Sequence, residues 1–237
     1  MAIPLFLAMT GAEFTAAGSL PKTVAWMACH FSAPDQGLTG FPPALPPGSI
    51  LMLNDQIPMA GHDPQQIGVQ LQQAAETLDC CGVLLDFQRP GQQEAAKLAA
   101  HLVATLTYPV AVSDGYAKNL DCPVFLAPCP HHVPLSDHLL PWRGRQLWLD
   151  LAADAETITL TKQGAQFLPL LLEKLPQGRH SDDLLHCHYA IETTPEAVRF
   201  TLWRTQEDLA ALAAEAEKLG VTALVGLYTE YGAKSQE

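Results

Sequence analysis

Cys81-Gly82-Val83-Leu84-Leu85-Asp86-Phe87-Gln88 is the stretch on which the fold of this chain turns. It is a short apolar run opened by a glycine and closed by the polar turn Gln88-Arg89-Pro90-Gly91, the pattern of a strand buried on both faces. Strand alternation places Leu84, Asp86 and Gln88 on one face, so a carboxylate and an amide emerge together where the strand ends. Upstream, Asp63 caps a helix with Pro64 in its first position, and Ile67, Leu71, Ala74, Ala75 and Leu78 form its apolar stripe. Downstream, Ala95, Leu98, Ala99, Leu102, Val103 and Leu106 recur at three and four residues, so a second helix covers a sheet with one face. With the apolar run 50–53 before them, these segments read strand, helix, strand, helix, the unit of a parallel sheet.

The same alternation extends to both ends of the chain. Thr205 and Asp208 open a late helix as a capping box, Leu209, Leu212, Ala213, Ala216 and Leu219 form its stripe, and Gly220 stops it. Strand-like runs fall at 3–9, 23–29, 50–53, 82–87, 124–127, 146–151, 187–191 and 221–228. Eight is the number that closes a (β/α)8 barrel, and the expectation is one α/β domain, 1–237, with 3–9 paired to 221–228. An open doubly wound sheet is the rival architecture. The run 108–112 is too close to 124 for an ordinary helical crossover and reads as an accessory strand. Runs 157–161 and 197–202 alternate polar and apolar residues, as small antiparallel additions do.

Charge narrows the function classes. Thirteen Lys and Arg against 25 Asp and Glu give a net charge of −12 with no basic cluster, which disfavours nucleic acid and anionic membrane surfaces as partners. No stretch of about 20 apolar residues occurs, and the N-terminal apolar run has no basic residue before it, so it reads as a first strand rather than a signal segment. The six cysteines show no CxxC spacing, which points to reduced thiols and a cytoplasmic location. No GxGxxG follows a strand, and neither a phosphate-binding GxxxxGK[ST] loop nor a GxSxG nucleophile elbow occurs.

In parallel α/β folds the chemistry sits at the carboxyl ends of the strands. The polar groups there are Glu13, Cys29-His30, Asn54-Asp55, Asp86, Gln88-Arg89, Asp150, Tyr189 and Tyr228-Thr229-Glu230. Cys81 to Gln88 resembles the fourth-strand motif DGxDxDxE of chitinase-like (family 18) glycoside hydrolases. In that family the Glu is the general acid, and the Asp before it orients the substrate's own N-acetyl group for attack. Gly82 matches the Gly, Asp86 the last Asp and Gln88 the Glu, while Cys81 and Leu84 replace the first and middle Asp. Leu147-Trp148-Leu149-Asp150 is similar to the family's sixth-strand M-x-Y-D, with Asp150 matching and Leu149 in place of the Tyr. The resemblance implies a barrel whose ordinary hydrolytic step is disabled, because a primary amide has no titratable proton for a leaving glycosidic oxygen.

Two functions stay open on the sequence. One is a degenerate barrel that binds a carbohydrate or similar small ligand through Asp86, Gln88 and Asp150, with Glu13, Asn54, Asp55, Arg89, Tyr228 and Glu230 around them. The other is an active hydrolase that pairs Asp86 with Glu13 or Glu230. No cofactor is expected. His186-Cys187-His188 is an HxH pair and His131-His132 lies in a Pro-rich loop, but neither has a third ligand at a recognised zinc spacing, so these read as solvated or core histidines. Cys29 and His30, adjacent on a strand, face opposite sides and make no dyad. Trp26 and Trp148 lie in apolar runs and belong to the core, whereas Trp142, beside Pro141 and Arg143, is the better stacking platform for a sugar.

Overall fold

The computed structural model describes residues 3–33, 36–172 and 174–231. In chain order it begins with β1 (Leu5–Met9), α1 (Gly11–Ala16), β2 (Val24–Phe31), β3 (Leu38–Thr39), β4 (Ile50–Asn54), α2 (Pro64–Thr77) and β5 (Gly82–Asp86). There follow α3 (Gln93–Thr105), β6 (Val110–Ser113), α4 (Asp114–Ala117), β7 (Val124–Leu126), α5 (Leu135–Leu139) and β8 (Leu147–Leu151). The chain continues with β9 (Ala155–Thr161), β10 (Gly164–Leu170), β11 (His180–Asp182), β12 (Cys187–Thr193) and β13 (Ala197–Trp203). It ends in α6 (Gln206–Lys218), β14 (Ala223–Leu227) and α7 (Tyr228–Tyr231).

Contacts gather the described residues into two compact units, one from those within 3–127, 144–150 and 220–231, the other from those within 128–143 and 151–219. In the first, the strand order β1-β14-β8-β7-β6-β5-β4-β2 returns to β1, which closes an eight-stranded parallel barrel among the described residues. β1 pairs in parallel with β14 on one side, Phe6 against Val225, and with β2 on the other, Ala8 against Ala25. The expected closure between the first and last strands is therefore present. Residues brought into register on the inner face fill the barrel: Phe6, Ile50, Met52, Leu84, Phe125 and Trp148 alternate with the small Ala8, Ala25, Ala111 and Ala223. Phe6 and Trp148 stack at 5.7 Å. Large and small side chains from facing strands thus make a solid core, and polar chemistry is confined to the rim.

Gly82 of the β5 run is required by this packing. A Cβ there would lie 3.0 Å from the Pro109 carbonyl oxygen and 3.7 Å from the Trp148 ring. Asp63 caps α2 by accepting from Gln65 N, with Pro64 in the first turn, as its sequence implies.

Three expectations are corrected. Segment 108–112 is no accessory: β6 is the fifth barrel strand, because the crossover to β7 is made by the single turn α4 rather than by a full helix. Segment 187–191 is not a barrel strand but part of β12 in an antiparallel sheet. Consequently β8, counted sixth from sequence, is the seventh strand of the barrel.

The second unit holds the five-stranded antiparallel sheet β10-β9-β13-β12-β11 together with α5 and α6. The alternating runs 157–161 and 197–202 lie in β9 and β13, neighbours in this sheet, as expected of antiparallel additions. Thr205 and Asp208 form the capping box that opens α6. Arg204 is buried, and its guanidinium donates to the carbonyls of Cys129, Pro130 and His186.

Candidate active site at the barrel mouth

Asn54 and Asp86 end β4 and β5 as register partners. Leu84 belongs to the inner core, so the pleat turns Asp86 inward above it. Asp86 is buried, and Gln88 Nε2 donates to both of its oxygens, at 3.2 and 3.1 Å. Burial pushes the Asp86 carboxyl above the ordinary aspartate value. The Gln88 amide opposes that shift, and the nearby Asp55 charge adds to it.

The loop leaving β5 is fastened at almost every residue. Ser113 Oγ accepts from Phe87 N and donates to the Leu85 carbonyl, both at 3.0 Å. Buried Asp55 accepts from Gln88 N at 3.1 Å and from Arg89 N at 2.8 Å. Arg89 donates from Nη2 to the Gln56 carbonyl at 2.8 Å, and the Tyr116 hydroxyl donates to the Arg89 carbonyl. Asn54 Oδ1 accepts from Gln56 N in an Asx turn. Gln88 is thus an exposed amide on a rigid base, the arrangement a binding group needs to hold its geometry.

A second group lies at the exits of β8 and β14. Asp150 follows the inward-facing Trp148 by two residues and shares its face. Glu230 and Tyr231 lie on α7, directly after β14. The charges of Glu230 and Asp150 reinforce burial in raising the Tyr231 hydroxyl well above the usual tyrosine value. Asp86 and Asp150 therefore stand on the fourth and seventh strands of an eight-stranded ring.

This architecture has clear counterparts among solved structures. The chitinase-like agglutinin from Robinia pseudoacacia superposes with a TM-score of 0.64 at 13% identity, covering 98% of this chain and 96% of its own. The fold is that of the chitinase-like barrels. A plant class V chitinase mutant from Cycas revoluta, in complex with (GlcNAc)3, matches at 0.60 with 11% identity over 97% of this chain and 96% of its own. A chitinase from Chromobacterium violaceum matches at 0.59 with 11% identity over 95% and 93%. No family model and no curated protein matches the sequence.

Within this barrel, Gly82 to Asp86 forms the fourth strand and Gln88 follows two residues beyond it, as the motif resemblance requires, but Leu147 to Asp150 lies on the seventh strand rather than the sixth. The motif Tyr carried over to Leu149 is therefore off register, and Leu149 is a fully buried residue beside inward-facing Trp148. Glu13 is engaged locally: its carboxylate accepts from Thr10 N at 2.7 Å and Thr10 Oγ1 at 2.8 Å, capping α1. Tyr228 opens α7 and is half-buried. Trp26 and Trp148 are buried, as their apolar runs imply, and Trp142 is half-exposed.

His131-His132 and His186-Cys187-His188 lie in the second unit. His186, at φ 47°, precedes β12, and its Nε2 meets Glu215. His188 Nδ1 lies 2.8 Å from Asp208 Oδ2. Asp208 and Glu215 are seven residues apart, two turns along one face of α6, so the HxH pair clasps that helix. His131 is buried against the Asp154 carbonyl, and burial followed by the Arg204 charge holds its pKa below the ordinary value. Among the described residues no three His, Cys, Asp or Glu side chains are grouped to hold a metal ion.

Sequence reasoning missed Ser113, Tyr116 and Tyr231. Ser113 stands one residue beyond a run assigned elsewhere. Tyr116 and Tyr231 carried no pattern, since each acts through a hydroxyl whose surroundings come from distant segments.

Proposed function

We propose that this protein binds a carbohydrate at the mouth of its barrel and does not hydrolyse it by the chitinase route. The observation that carries this reading is the Gln88 amide, which stands at the acid position and donates to both oxygens of Asp86. An amide has no titratable proton for a departing glycosidic oxygen, whereas amide and carboxylate together suit sugar hydroxyls. Asp86, Gln88 and Asp150 are the central groups, and Asn54, Arg89, Tyr228 and Glu230 flank them. Asp55 and Glu13 contribute by holding the β5 exit and α1. The ligand class is supported by the chitinases from Cycas revoluta that were solved with (GlcNAc)3 and (GlcNAc)4.

Isothermal titration with chitotetraose, with chromatography of the mixture after prolonged incubation, tests both halves. Saturable heat with intact tetraose is expected. Release of shorter sugars, lost on Asp86→Ala, refutes the non-hydrolytic half. The rival, an active hydrolase pairing Asp86 with Glu13 or Glu230, draws its support from the upward shift of Asp86, the direction a general acid needs.

We also propose that the two compact units work as one domain in a cytoplasmic protein. The second point rests on the cysteines, all six of which are free thiols. No helix among the described residues is long and apolar enough to cross a membrane. Limited proteolysis with and without chitotetraose tests the first point: protection of sites in both units together is expected, and protection confined to one refutes it.

A further inference from the structure

The antiparallel sheet of the second unit has an apolar face that is only partly covered. Pairing aligns Phe167, Ile158, Phe200 and Ile191 in one rung across β10, β9, β13 and β12. Strand alternation puts Leu160 and Val198, which pair with each other, on the same face. The opposite face at that end is polar, with Thr159, Thr201 and the Arg199–Glu192 ion pair. An antiparallel sheet of this kind turns its polar face to water and its apolar face to a core. Ile158 is buried and the His132 ring lies 4.8 Å from that of Phe167, yet Phe167 is 49% exposed, Ile191 47% and Leu160 42%. β10 is also an edge strand, but it carries Pro169, which has no N–H to offer a further strand, so the face rather than that edge is left for a partner.

We propose that this face is the interface of a two-fold dimer, covered by the same face of a second copy of the chain. Charge complementarity and area select that occupant. The turn 162–163 joins β9 to β10 and the turn 194–196 joins β12 to β13, both at the same end of the sheet, and they carry the exposed Lys162 and Glu196. A two-fold axis parallel to the strands, passing between β9 and β13, lays β10 over β12 of the second copy and β9 over its β13, the aligned packing of two sheets. That axis runs through the middle of the apolar patch. It sets Phe167 against Ile191 and Lys162 against Glu196, each twice. The open apolar surface is roughly 350 Å², against about 800 Å² taken from each partner in a standard interface, about 65% of it apolar in homodimers. The patch thus supplies about two thirds of the apolar area, which suits a micromolar dimer rather than an obligate one. The net charge of −12 on each copy opposes association at a distance, and physiological salt screens it beyond about 8 Å.

Sedimentation velocity of the full-length protein, from about 1 to about 200 µM in about 0.15 M salt, tests this. The wild type is expected to pass from monomer to dimer with a midpoint of about 1–100 µM. Phe167→Lys and Ile191→Lys stand at exposed sites, so each should melt as the wild type does when dilute and weaken dimerisation by at least about 10-fold. If one of them melts at a lower temperature, the other decides. Lys162→Glu should weaken the dimer about 3- to 10-fold, and Lys162→Glu combined with Glu196→Lys should return it to within about 2-fold of the wild type. A wild type that stays monomeric at about 200 µM overturns the proposal. A dimer unmoved by both lysine variants overturns it also, since another surface then holds it together. Failure of the charge exchange to recover affinity overturns the two-fold arrangement.

Discussion

Replacing Gln88 by Glu inserts a second carboxylate where an amide now donates to the first. The Gln88 Nε2 atom lies 3.1 and 3.2 Å from the Asp86 oxygens. Two full charges at about 3 Å repel by about 5 kcal/mol at an effective dielectric of about 20, an upper bound because the exposed side chain can rotate away. Rotation still removes a hydrogen bond to a charged group, worth about 1.5–3 kcal/mol. Because the side chain can take the cheaper route, the cost is about 1.5–3 kcal/mol, or roughly 3–12 °C in melting temperature for a chain of this size. The pH dependence has a definite sign. The folded pair retains a proton that the unfolded carboxyls, with values near 4, have released, so the variant loses stability as pH rises from about 4 toward neutrality. Below pH 4 both states are protonated and the penalty fades. Melting curves of both proteins from pH 4 to pH 8 check this, and a difference that stays constant across that range would refute the reasoning. The Gln88→Glu change by itself should not restore chitin cleavage, because the middle motif Asp is replaced by Leu84, a core residue.

Three further outcomes are expected. Asp86→Asn removes a carboxylate that burial disfavours, so it should melt at or above the wild-type temperature at pH 7, with the advantage vanishing below about pH 4, while chitotetraose binding weakens in titration. Asp208→Ala removes the acceptor of Thr205 N, Thr205 Oγ1 and His188 Nδ1 and should cost about 1–2 kcal/mol by denaturant titration. Burial resists ionisation of Asp208, but these bonds outweigh it and hold the carboxyl below its ordinary value, so this cost should be full above about pH 4 and disappear as pH falls through the folded value. Gly40→Ala should be the most damaging single change of the set, by more than about 2 kcal/mol: φ is +81° and a Cβ would stand 1.9 Å from the Ala28 carbonyl oxygen, so the β3 hairpin must shift and release the Trp26–Gly40 hydrogen bond. A soluble Gly40→Ala protein with wild-type melting behaviour contradicts that geometry.

The parts of the fold that could be read from the sequence were those whose signal is local. β4 and β5 are apolar up to their last residues because helices cover one face and the barrel core the other, α2, α3 and α6 carry their stripes in plain order, and α2 and α6 their caps. The misplacements came where tertiary context overrides local pattern. β6 sits so close to β7 that a crossover of ordinary length does not fit, yet one turn of helix suffices in the structure. Cys187 and Ala190 of the β12 run are buried on opposite faces of its small antiparallel sheet, in two separate clusters, and a run buried on both faces resembles a short barrel strand. Removing one strand from the count and adding another kept the number at eight while displacing β8 from sixth to seventh. At the site, Asp86 and Gln88 were legible from alternation. The role of Asp55 was not, since its partners are backbone amides more than 30 residues further along.

That clamp bears on how the mouth changes over evolutionary time. Asp55 grips the backbone nitrogens of residues 88 and 89, and Ser113 grips that of Phe87, so the shape of the turn is written in main-chain bonds that any side chain at position 88 leaves intact. An acid and an amide can be exchanged at that position without rebuilding the loop. The turn is thereby indifferent to which of the two stands there, and its shape carries no record of the exchange.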